Sequence, residues 1–202
     1  MRSGYRRIGL LGGSFNPAHE GHVHISRFAL ARLGLDEVWW LVSPQNPLKN
    51  PNDLADYALR LASARQAAAG VRGIRVTDIE RRLGTRYTYQ TVAALKARFP
   101  GVQFVWMMGA DNLAQFHRWR RWRQILRSLP VVVFDRAPHS HRALRSPTAL
   151  MLRGSMLKLQ DIGPKWPDAG LLYAPLRRDP ASSTEIRKTL GAGAFLRHNE
   201  VV

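Results

Sequence analysis

Two histidines near the N-terminus follow a pair of glycines in the segment GGSFNPAHEGH, which runs from Gly12 to His22. His19 and His22 are three residues apart, so on a helix their imidazole rings would lie side by side on one face. Adjacent glycines let a backbone turn sharply towards a ligand, and a helix start offers unpaired N–H groups to an anion. This combination predicts a site at which two imidazoles donate hydrogen bonds to a phosphate group.

The same segment also fits interpretations that involve no phosphate. It is neither the G-x-G-x-x-G fingerprint of a dinucleotide site nor a P-loop, because it lacks a Lys followed by Ser or Thr. His19, His22 and His24 could ligate a metal ion, but the one nearby carboxylate, Glu20, would point elsewhere on a helix. A glycine turn with surface histidines would need no ligand. The chain has no cysteine, which excludes thiol nucleophiles, Cys-type zinc sites, iron–sulfur clusters and disulfides.

A second phosphate-binding candidate is the segment SSTEIR near the C-terminus. Ser182, Ser183 and Thr184 supply hydroxyl groups at a predicted helix start, where backbone N–H groups are unpaired. Arg187 follows one turn later and can donate parallel hydrogen bonds to a phosphate. An ordinary capping box with Glu185 explains the same residues without a ligand.

Three further segments carry groups that suit a nucleotide. Lys49 ends the Pro-rich segment PQNPLK and could neutralise a phosphate, or could be a solvated surface lysine. Thr88, in RYTYQT, stands at a predicted helix start, where capping alone would also explain it. Asp111, in GADN, can accept hydrogen bonds from both hydroxyls of a ribose, and it can also cap a helix.

Short apolar runs alternate with helical patterns, and these elements must position the candidate residues. The predicted strands are residues 8–11, 37–42, 74–76, 102–108, 131–134 and 171–174. The predicted helices are residues 22–33, 53–70 with Asp53 as the N-cap, 88–99, 119–129 and 183–190, whereas residues 135–170 give no clear pattern. Such alternation predicts an α/β fold with a parallel sheet covered on both faces, which binds ligands at the carboxyl ends of its strands.

Size and apolar patterning indicate one cytoplasmic domain. The chain has 202 residues and no evident boundary, so we predict a single domain over residues 1–202. No stretch approaches the roughly 18 apolar residues of a membrane span. The apolar run at residues 8–11 is too short for a signal peptide and is followed at once by glycines. We therefore expect no membrane partner.

The charge of the chain is strongly basic. Lys and Arg number 31 against 14 Asp and Glu, giving a net charge of +17, which predicts attraction to polyanions. However, 26 of the 31 are Arg, as a GC-rich coding sequence would also produce. The run RWRRWR (118–123) resembles a nucleic-acid-binding surface, but a helix with one apolar and one basic face explains it at least as well. Trp122 is expected in the core with Ile125, Leu126 and Leu129, and nucleic acid is not the expected partner.

The segment GGSFNPAHEGHVHISRFAL resembles the signature of the nucleotidyltransferase superfamily, whose hallmark is His-x-Gly-His. More narrowly, the chain is similar to bacterial nicotinate-nucleotide adenylyltransferases. Their opening pattern, Gly-Gly-(Ser/Thr)-Phe-(Asp/Asn)-Pro-x-His-x-Gly-His, is present at every position from Gly12 to His22. The late Ser-Ser-Thr-x-x-Arg element, the Tyr-Thr pair and the Gly-x-Asp-(Asn/Ser) element with its following Trp match as well, although Arg86 stands where the family usually has Ser. The resemblance implies a Rossmann-like, doubly wound sheet.

The resemblance also implies a role for each candidate residue. His19, His22 and Arg187 would grip the triphosphate of ATP and stabilise the leaving pyrophosphate as catalytic residues. The residues implied to bind ATP are Gly12, Gly13, Ser14, Phe15, Asp111, Arg136, Ser182, Ser183 and Thr184, with the helical portion from about residue 181 completing the site. The residues implied to bind the acceptor are Asn16, Lys49, Tyr87, Thr88, Trp119 and Arg120. Trp119 would stack on a pyridine ring, since an electron-rich ring suits an electron-poor pyridinium.

The implied reaction joins ATP and nicotinate mononucleotide to give nicotinate adenine dinucleotide (deamido-NAD) and pyrophosphate, a step of NAD biosynthesis. The acceptor phosphate is ionised at pH 7, so catalysis would rest on positioning and charge stabilisation. Mg²⁺ would bridge the ATP phosphates with few protein ligands. Two alternatives remain open: a sister enzyme whose acceptor is nicotinamide mononucleotide or phosphopantetheine, and a non-catalytic nucleotide- or nucleic-acid-binding protein. The sequence does not show how strictly the enzyme would prefer the acid, nicotinate mononucleotide, over the amide, nicotinamide mononucleotide. Nor does it show the oligomeric state, for which a homo-oligomer is one option.

Overall fold

Strands and helices alternate along the part of the chain that the computed structural model describes, which comprises residues 5–45, 53–135, 143–158, 166–174 and 176. The elements are β1 (Arg6–Gly13), α1 (Glu20–Arg32), β2 (Glu37–Val42), α2 (Tyr57–Ala67), β3 (Ile74–Thr77), α3 (Ile79–Arg82), α4 (Thr88–Arg98), β4 (Val102–Gly109), α5 (Ala110–Gln115), a 3₁₀ turn (Phe116–Arg118), α6 (Trp122–Ser128), β5 (Pro130–Phe134), α7 (Pro147–Met151), β6 (Leu157–Lys158) and β7 (Gly170–Ala174).

The described strands form a sheet in the order β3-β2-β1-β4-β5-β7-β6. This order runs outwards from β1 to β3 and restarts at β4 on the other side of β1, as in doubly wound α/β folds. The chain separates into two compact units, Met1–Leu11 with Tyr87–Arg178 and Gly12–Arg86 with Asp179–Val202. The single domain expected over residues 1–202 stays a prediction.

In the first unit, residues 6–11 of β1 pair with β4, β4 pairs with β5, and β7 pairs with both β5 and β6, always in parallel. The register sets Leu10 beside Trp106 and Met107 beside Val132. Every residue of β5 is buried, as are the last six residues of β4. Strands buried along their whole length have both faces covered, which is the packing expected for a parallel sheet.

In the second unit, β2 pairs in parallel with β3 and sets Trp40 beside Val76. Helices α1, α2 and α3 each contact β2. Five of the six residues of β2 are buried, because these three helices pack against the strand.

Helix α2 begins later than the sequence predicts. Its N-cap is Asp56, whose Oδ1 accepts the N–H of Ala58 at 2.7 Å, so the assignment of Asp53 as the N-cap is wrong. The amide group of Asn16 donates to the carbonyl of Asp53 at 2.9 Å and accepts the N–H of Ala55 at 3.1 Å. These bonds hold residues 53–55 outside the helix.

Helix α6 also begins later than predicted, at Trp122 instead of Trp119. The 3₁₀ turn precedes it, and Arg121 has a left-handed backbone with φ 54° and ψ 36°, which interrupts the helix. Trp122 is buried together with Ile125 and Leu126, which confirms its predicted place in the core. Residues 147–151 and 157–158 form α7 and β6, which the sequence did not reveal. None of the helices described has the length and apolar character needed to cross a membrane.

A buried hydroxyl fastens α1 to β2. The hydroxyl of Ser26 donates to the carbonyl of His22 at 2.8 Å and accepts the indole N–H of Trp40 at 2.8 Å. Both Ser26 and Trp40 are fully buried. The hydrogen bond satisfies the polar edge of an otherwise apolar side chain, which is the usual condition for burying an indole.

Replacing Ser26 by alanine should lower the free energy of unfolding by about 1–3 kcal/mol, because the buried indole N–H of Trp40 loses its acceptor. Ser128→Ala is the matched control. Ser128 makes the same hydroxyl bond to the carbonyl four residues earlier, at Gln124, and within the described residues no indole donates to it. Denaturant unfolding monitored by circular dichroism would compare the two variants, and equal losses would contradict the role given to Ser26.

Candidate active site

The two histidines of the Gly12–His22 segment meet at the start of α1. His19 is the N-cap, with an extended backbone (φ −154°, ψ 170°), and the helix begins at Glu20. The Nδ1 atom of His19 accepts the N–H of Gly21 at 3.1 Å, and the Nδ1 atom of His22 accepts the N–H of His19 at 3.3 Å. The ring centroids are 4.0 Å apart. The rings therefore lie side by side, although His19 precedes the helix rather than lying on its face.

These cap bonds select the tautomer of both rings. A nitrogen that accepts a hydrogen bond carries no proton, so in each neutral imidazole the proton lies on Nε2. His19 is buried and His22 is partly exposed. The cap bonds thus direct the Nε2–H edge of each neutral ring away from the backbone that Nδ1 binds, and the pair lies beside a helix N-terminus, which is a position suited to an anionic ligand.

Phe15 supports His22 from a strained backbone. Its φ is +47°, in the left-handed region that costs an L-residue roughly 1–2 kcal/mol. The ring is buried, stacks on Trp40 at 5.1 Å with an interplanar angle of 17°, and lies 4.8 Å from the ring of His22. A Cβ atom at Gly13 would lie 3.3 Å from the Phe15 ring, so the glycine two residues before Phe15 leaves space for this packing.

Two polar side chains in the same turn differ in their contacts. The hydroxyl of Ser14 is buried and has no hydrogen-bond partner within the described residues. A buried polar atom without a partner is costly, so this hydroxyl is a candidate ligand contact. The amide of Asn16, in contrast, bonds to the backbone of residues 53–55. Its predicted role in acceptor binding stays a prediction.

Sequence reasoning missed Arg60, which the structure places against this turn. The residue is 1% exposed. Nη1 donates to the carbonyls of Ser14 and Ser43, each at 2.8 Å, Nη2 donates to Pro44 at 2.9 Å, and Nε donates to Ala55 at 3.0 Å. One sequence signal could have identified it: Arg60 is four residues before Ala64, so on a helix the two lie on the same face. Both are buried in α2.

The candidates Tyr87, Thr88, Trp119 and Arg120 belong to the first unit. Tyr87 is the N-cap of α4, Thr88 is its first residue, and the guanidinium carbon of Arg120 lies 4.9 Å from the centroid of the Tyr87 ring. Trp119 is partly exposed and is held edge-on by Trp106 at 6.2 Å and by a second aromatic ring, that of Phe116, at 5.1 Å. The structure brings Tyr87 and Arg120 together and gives Trp119 a rigid aromatic support.

Of the remaining candidates, the structure describes only Asp111. Asp111 lies in the first turn of α5, whose N-cap position is Gly109, so the alternative interpretation of Asp111 as an N-cap is wrong, and its predicted role in ribose binding stays a prediction. The other candidates fall outside the described residues: Lys49, Arg136, Ser182, Ser183, Thr184 and Arg187. Within the described ranges, no group of three or more His, Cys, Asp and Glu side chains could hold a metal ion.

The tautomers of His19 and His22 can be observed directly. Long-range ¹H–¹⁵N NMR spectra of the neutral form of each ring, identified by a pH series, should show an unprotonated Nδ1 and a protonated Nε2, because each Nδ1 accepts a backbone N–H. Spectra of His19→Ala and His22→Ala would assign the signals. A protonated Nδ1 in either neutral ring would show that the cap bonds are absent.

Comparison with known proteins identifies relatives over most of the chain. Residues 10–189 match the cytidylyltransferase-like family. A protein of Parvibaculum lavamentivorans named "Probable nicotinate-nucleotide adenylyltransferase" is 50% identical over 187 residues, which cover 92% of each chain. A protein of Cereibacter sphaeroides with the same name is 53% identical over 182 residues, which cover 90% of this chain and 97% of its own.

Solved structures show the same fold at low sequence identity. The nicotinic acid mononucleotide adenylyltransferase of Plasmodium falciparum complexed with NaAD is 16% identical, with a TM-score of 0.68 over 93% of this chain and 85% of that chain. Its complex with APC has a TM-score of 0.65 over 92% and 84%. The fold likeness confirms the predicted Rossmann-like α/β class. By its sequence relatives, the chain belongs to the cytidylyltransferase-like family of nucleotidyltransferases and, within it, to the nicotinate-nucleotide adenylyltransferases.

Proposed function

We propose that this enzyme transfers AMP from ATP to nicotinate mononucleotide, yielding nicotinate adenine dinucleotide and pyrophosphate. The observation that carries the proposal is the His19–His22 pair at the start of α1, with both Nδ1 atoms engaged by backbone N–H groups. The names of relatives that are 50% and 53% identical over about nine-tenths of the chain support the choice of acceptor. The cytoplasmic location and a homo-oligomeric state stay predictions.

The reaction requires no general base. A phosphate oxygen of the acceptor, already ionised at neutral pH, attacks the α-phosphorus of ATP and forms the new P–O bond. The bond from the α-phosphorus to the bridging oxygen breaks, and its electrons leave with pyrophosphate. The enzyme's contribution is then to align the two phosphates and to stabilise the charge that develops on the leaving group.

Neutral imidazole donors suit this task. The Nε2–H groups of His19 and His22 would donate hydrogen bonds to oxygens of the triphosphate. These hydrogen bonds would strengthen as negative charge moves onto pyrophosphate. Arg187 and the hydroxyls of Ser182, Ser183 and Thr184 would bind the same phosphates. Mg²⁺ would enter as part of the substrate MgATP and would supply positive charge to its phosphates, with few protein ligands because it dehydrates reluctantly and retains several waters.

The proposal gives nucleoside binding to a first set of residues. Gly12, Gly13 and Phe15 would wall the adenosine pocket, and the buried, unpartnered hydroxyl of Ser14 would contact ATP. Asp111 would accept hydrogen bonds from ribose, and Arg136 would reach the adenosine.

Acceptor binding is assigned to a second set of residues. Trp119 would stack on the pyridine ring, for which its edge-on aromatic neighbours provide a rigid mount. Backbone N–H groups near Thr88 and Arg120 would receive the nicotinate carboxylate, and Tyr87 would support Arg120 through the contact between their side chains. Lys49 would neutralise a phosphate, and Asn16 would complete the acceptor set.

Pyrophosphate release with MgATP should separate the acceptors. We expect a much higher kcat/KM with nicotinate mononucleotide than with nicotinamide mononucleotide or phosphopantetheine, because no acidic side chain in residues 86–91 or 119–120 would repel the carboxylate. Preference for another acceptor would retain the ATP site and discard the acceptor assignment. No pyrophosphate release with any of the three acceptors would favour a non-catalytic binding protein.

His22→Ala should lower kcat by about 10²–10³, the usual cost of removing one donor to a developing negative charge. His24→Ala is the matched control, because His24 lies two residues further along α1 and has no role in the proposed mechanism. Steady-state kinetics, with thermal unfolding to confirm that both variants fold, would make the comparison. Turnover within twofold of the unsubstituted enzyme would refute the role of His22.

A further inference from the structure

The four carbonyls that Arg60 binds belong to three separate segments of the second unit. Ser14 lies in the turn after β1, Ser43 and Pro44 open the loop after β2, and Ala55 precedes α2. The bonds to Ser14 and Ser43 both come from Nη1 at 2.8 Å, so a single nitrogen joins the two loops that follow β1 and β2.

These two loops carry different halves of the proposed chemistry. The turn after β1 leads through Phe15 to the N-cap His19, and the loop after β2 leads towards Lys49. We infer that Arg60 is a positioning residue, which fixes the turn that carries His19 relative to Ser43 and Pro44, the described start of the loop after β2. This inference rests on the proposed function for what the loops bind, but the contacts of Arg60 stand independently.

The side chain has to be arginine for this purpose. A guanidinium directs its donors outwards in a planar fork, whereas a lysine places three donors on one nitrogen at the end of a flexible stem. An apolar residue of equal length would leave four carbonyls without this donor, and leaving a buried polar group unsatisfied is destabilising.

The charge of Arg60 also lacks a carboxylate partner among the described residues. Burial lowers the pKa of Arg60, and the nearby Tyr57 and Asp56 offset only part of this effect. The ring of Tyr57 is approached by the guanidinium groups of Arg60 at 5.3 Å and Arg81 at 5.4 Å. A buried cation balanced mainly by carbonyls and an aromatic face favours anionic ligands at the turn to which it is bonded.

Chemical rescue provides the test. Arg60→Ala should lower kcat/KM for both MgATP and nicotinate mononucleotide by about 10²-fold, the scale expected when reacting groups are misplaced by roughly 1 Å. Millimolar guanidinium chloride should restore part of the lost activity by occupying the vacated site, whereas equimolar methylammonium chloride should not. Arg65→Ala, an exposed arginine on the same helix, is the matched control, and neither it nor the unsubstituted enzyme should gain from guanidinium.

Folded Arg60→Ala protein with unchanged kcat/KM would overturn the inference. So would a loss of activity that guanidinium does not reverse. If Arg60→Ala does not fold, Arg60→Lys decides: reduced kcat/KM at an unchanged denaturation midpoint supports the positioning role, and unchanged kcat/KM refutes it.

A binding measurement separates this inference from the proposed function. If the unsubstituted enzyme released no pyrophosphate with nicotinate mononucleotide, the proposed acceptor would be wrong, and calorimetric titration with MgATP would still test Arg60. Weaker MgATP binding by Arg60→Ala, recovered by guanidinium, supports the inference. Equal affinity in Arg60→Ala and Arg65→Ala overturns it.

Discussion

The turn between β1 and α1 is the constraint on which the second unit depends. Its backbone is fixed from two sides: the carbonyl of Ser14 accepts a hydrogen bond from buried Arg60, and the ring of Phe15 stacks on Trp40. These contacts join the turn to α2 and to β2. Because the turn ends at the N-cap His19, the position of the paired imidazoles of His19 and His22 is set by parts of the chain that are remote in sequence.

Several local features of this turn are unfavourable in isolation. A left-handed phenylalanine is strained, and a buried guanidinium without a carboxylate partner among the described residues loses its hydration. Such features persist only where the surrounding structure over-determines them, and they concentrate at functional sites. Here the stacking of Phe15 and the four carbonyls around Arg60 supply that determination.

The sequence patterns predicted those features of the fold that depend on residues close together in the chain. The strand positions and the proximity of His19 and His22 follow from apolar runs and from spacing, and the structure confirms them. The start of α2 was wrong because Asn16, 37 residues before Asp53, holds the preceding backbone. Arg60 was missed for the same reason, since its bond to the turn spans 46 residues. Contacts of that length depend on the assembled fold and leave no periodic signal.

An imidazole at an N-cap position differs from the residues that usually stand there. Serine, threonine and aspartate also accept the N–H of the first turn, but their acceptor oxygen is the functional end of the side chain. The ring of His19 has a second nitrogen, Nε2, in addition to the Nδ1 atom that caps the start of the helix. A conventional cap residue in its place would therefore keep α1 in position while removing that second nitrogen, which separates the start of the helix from the chemistry proposed for the ring.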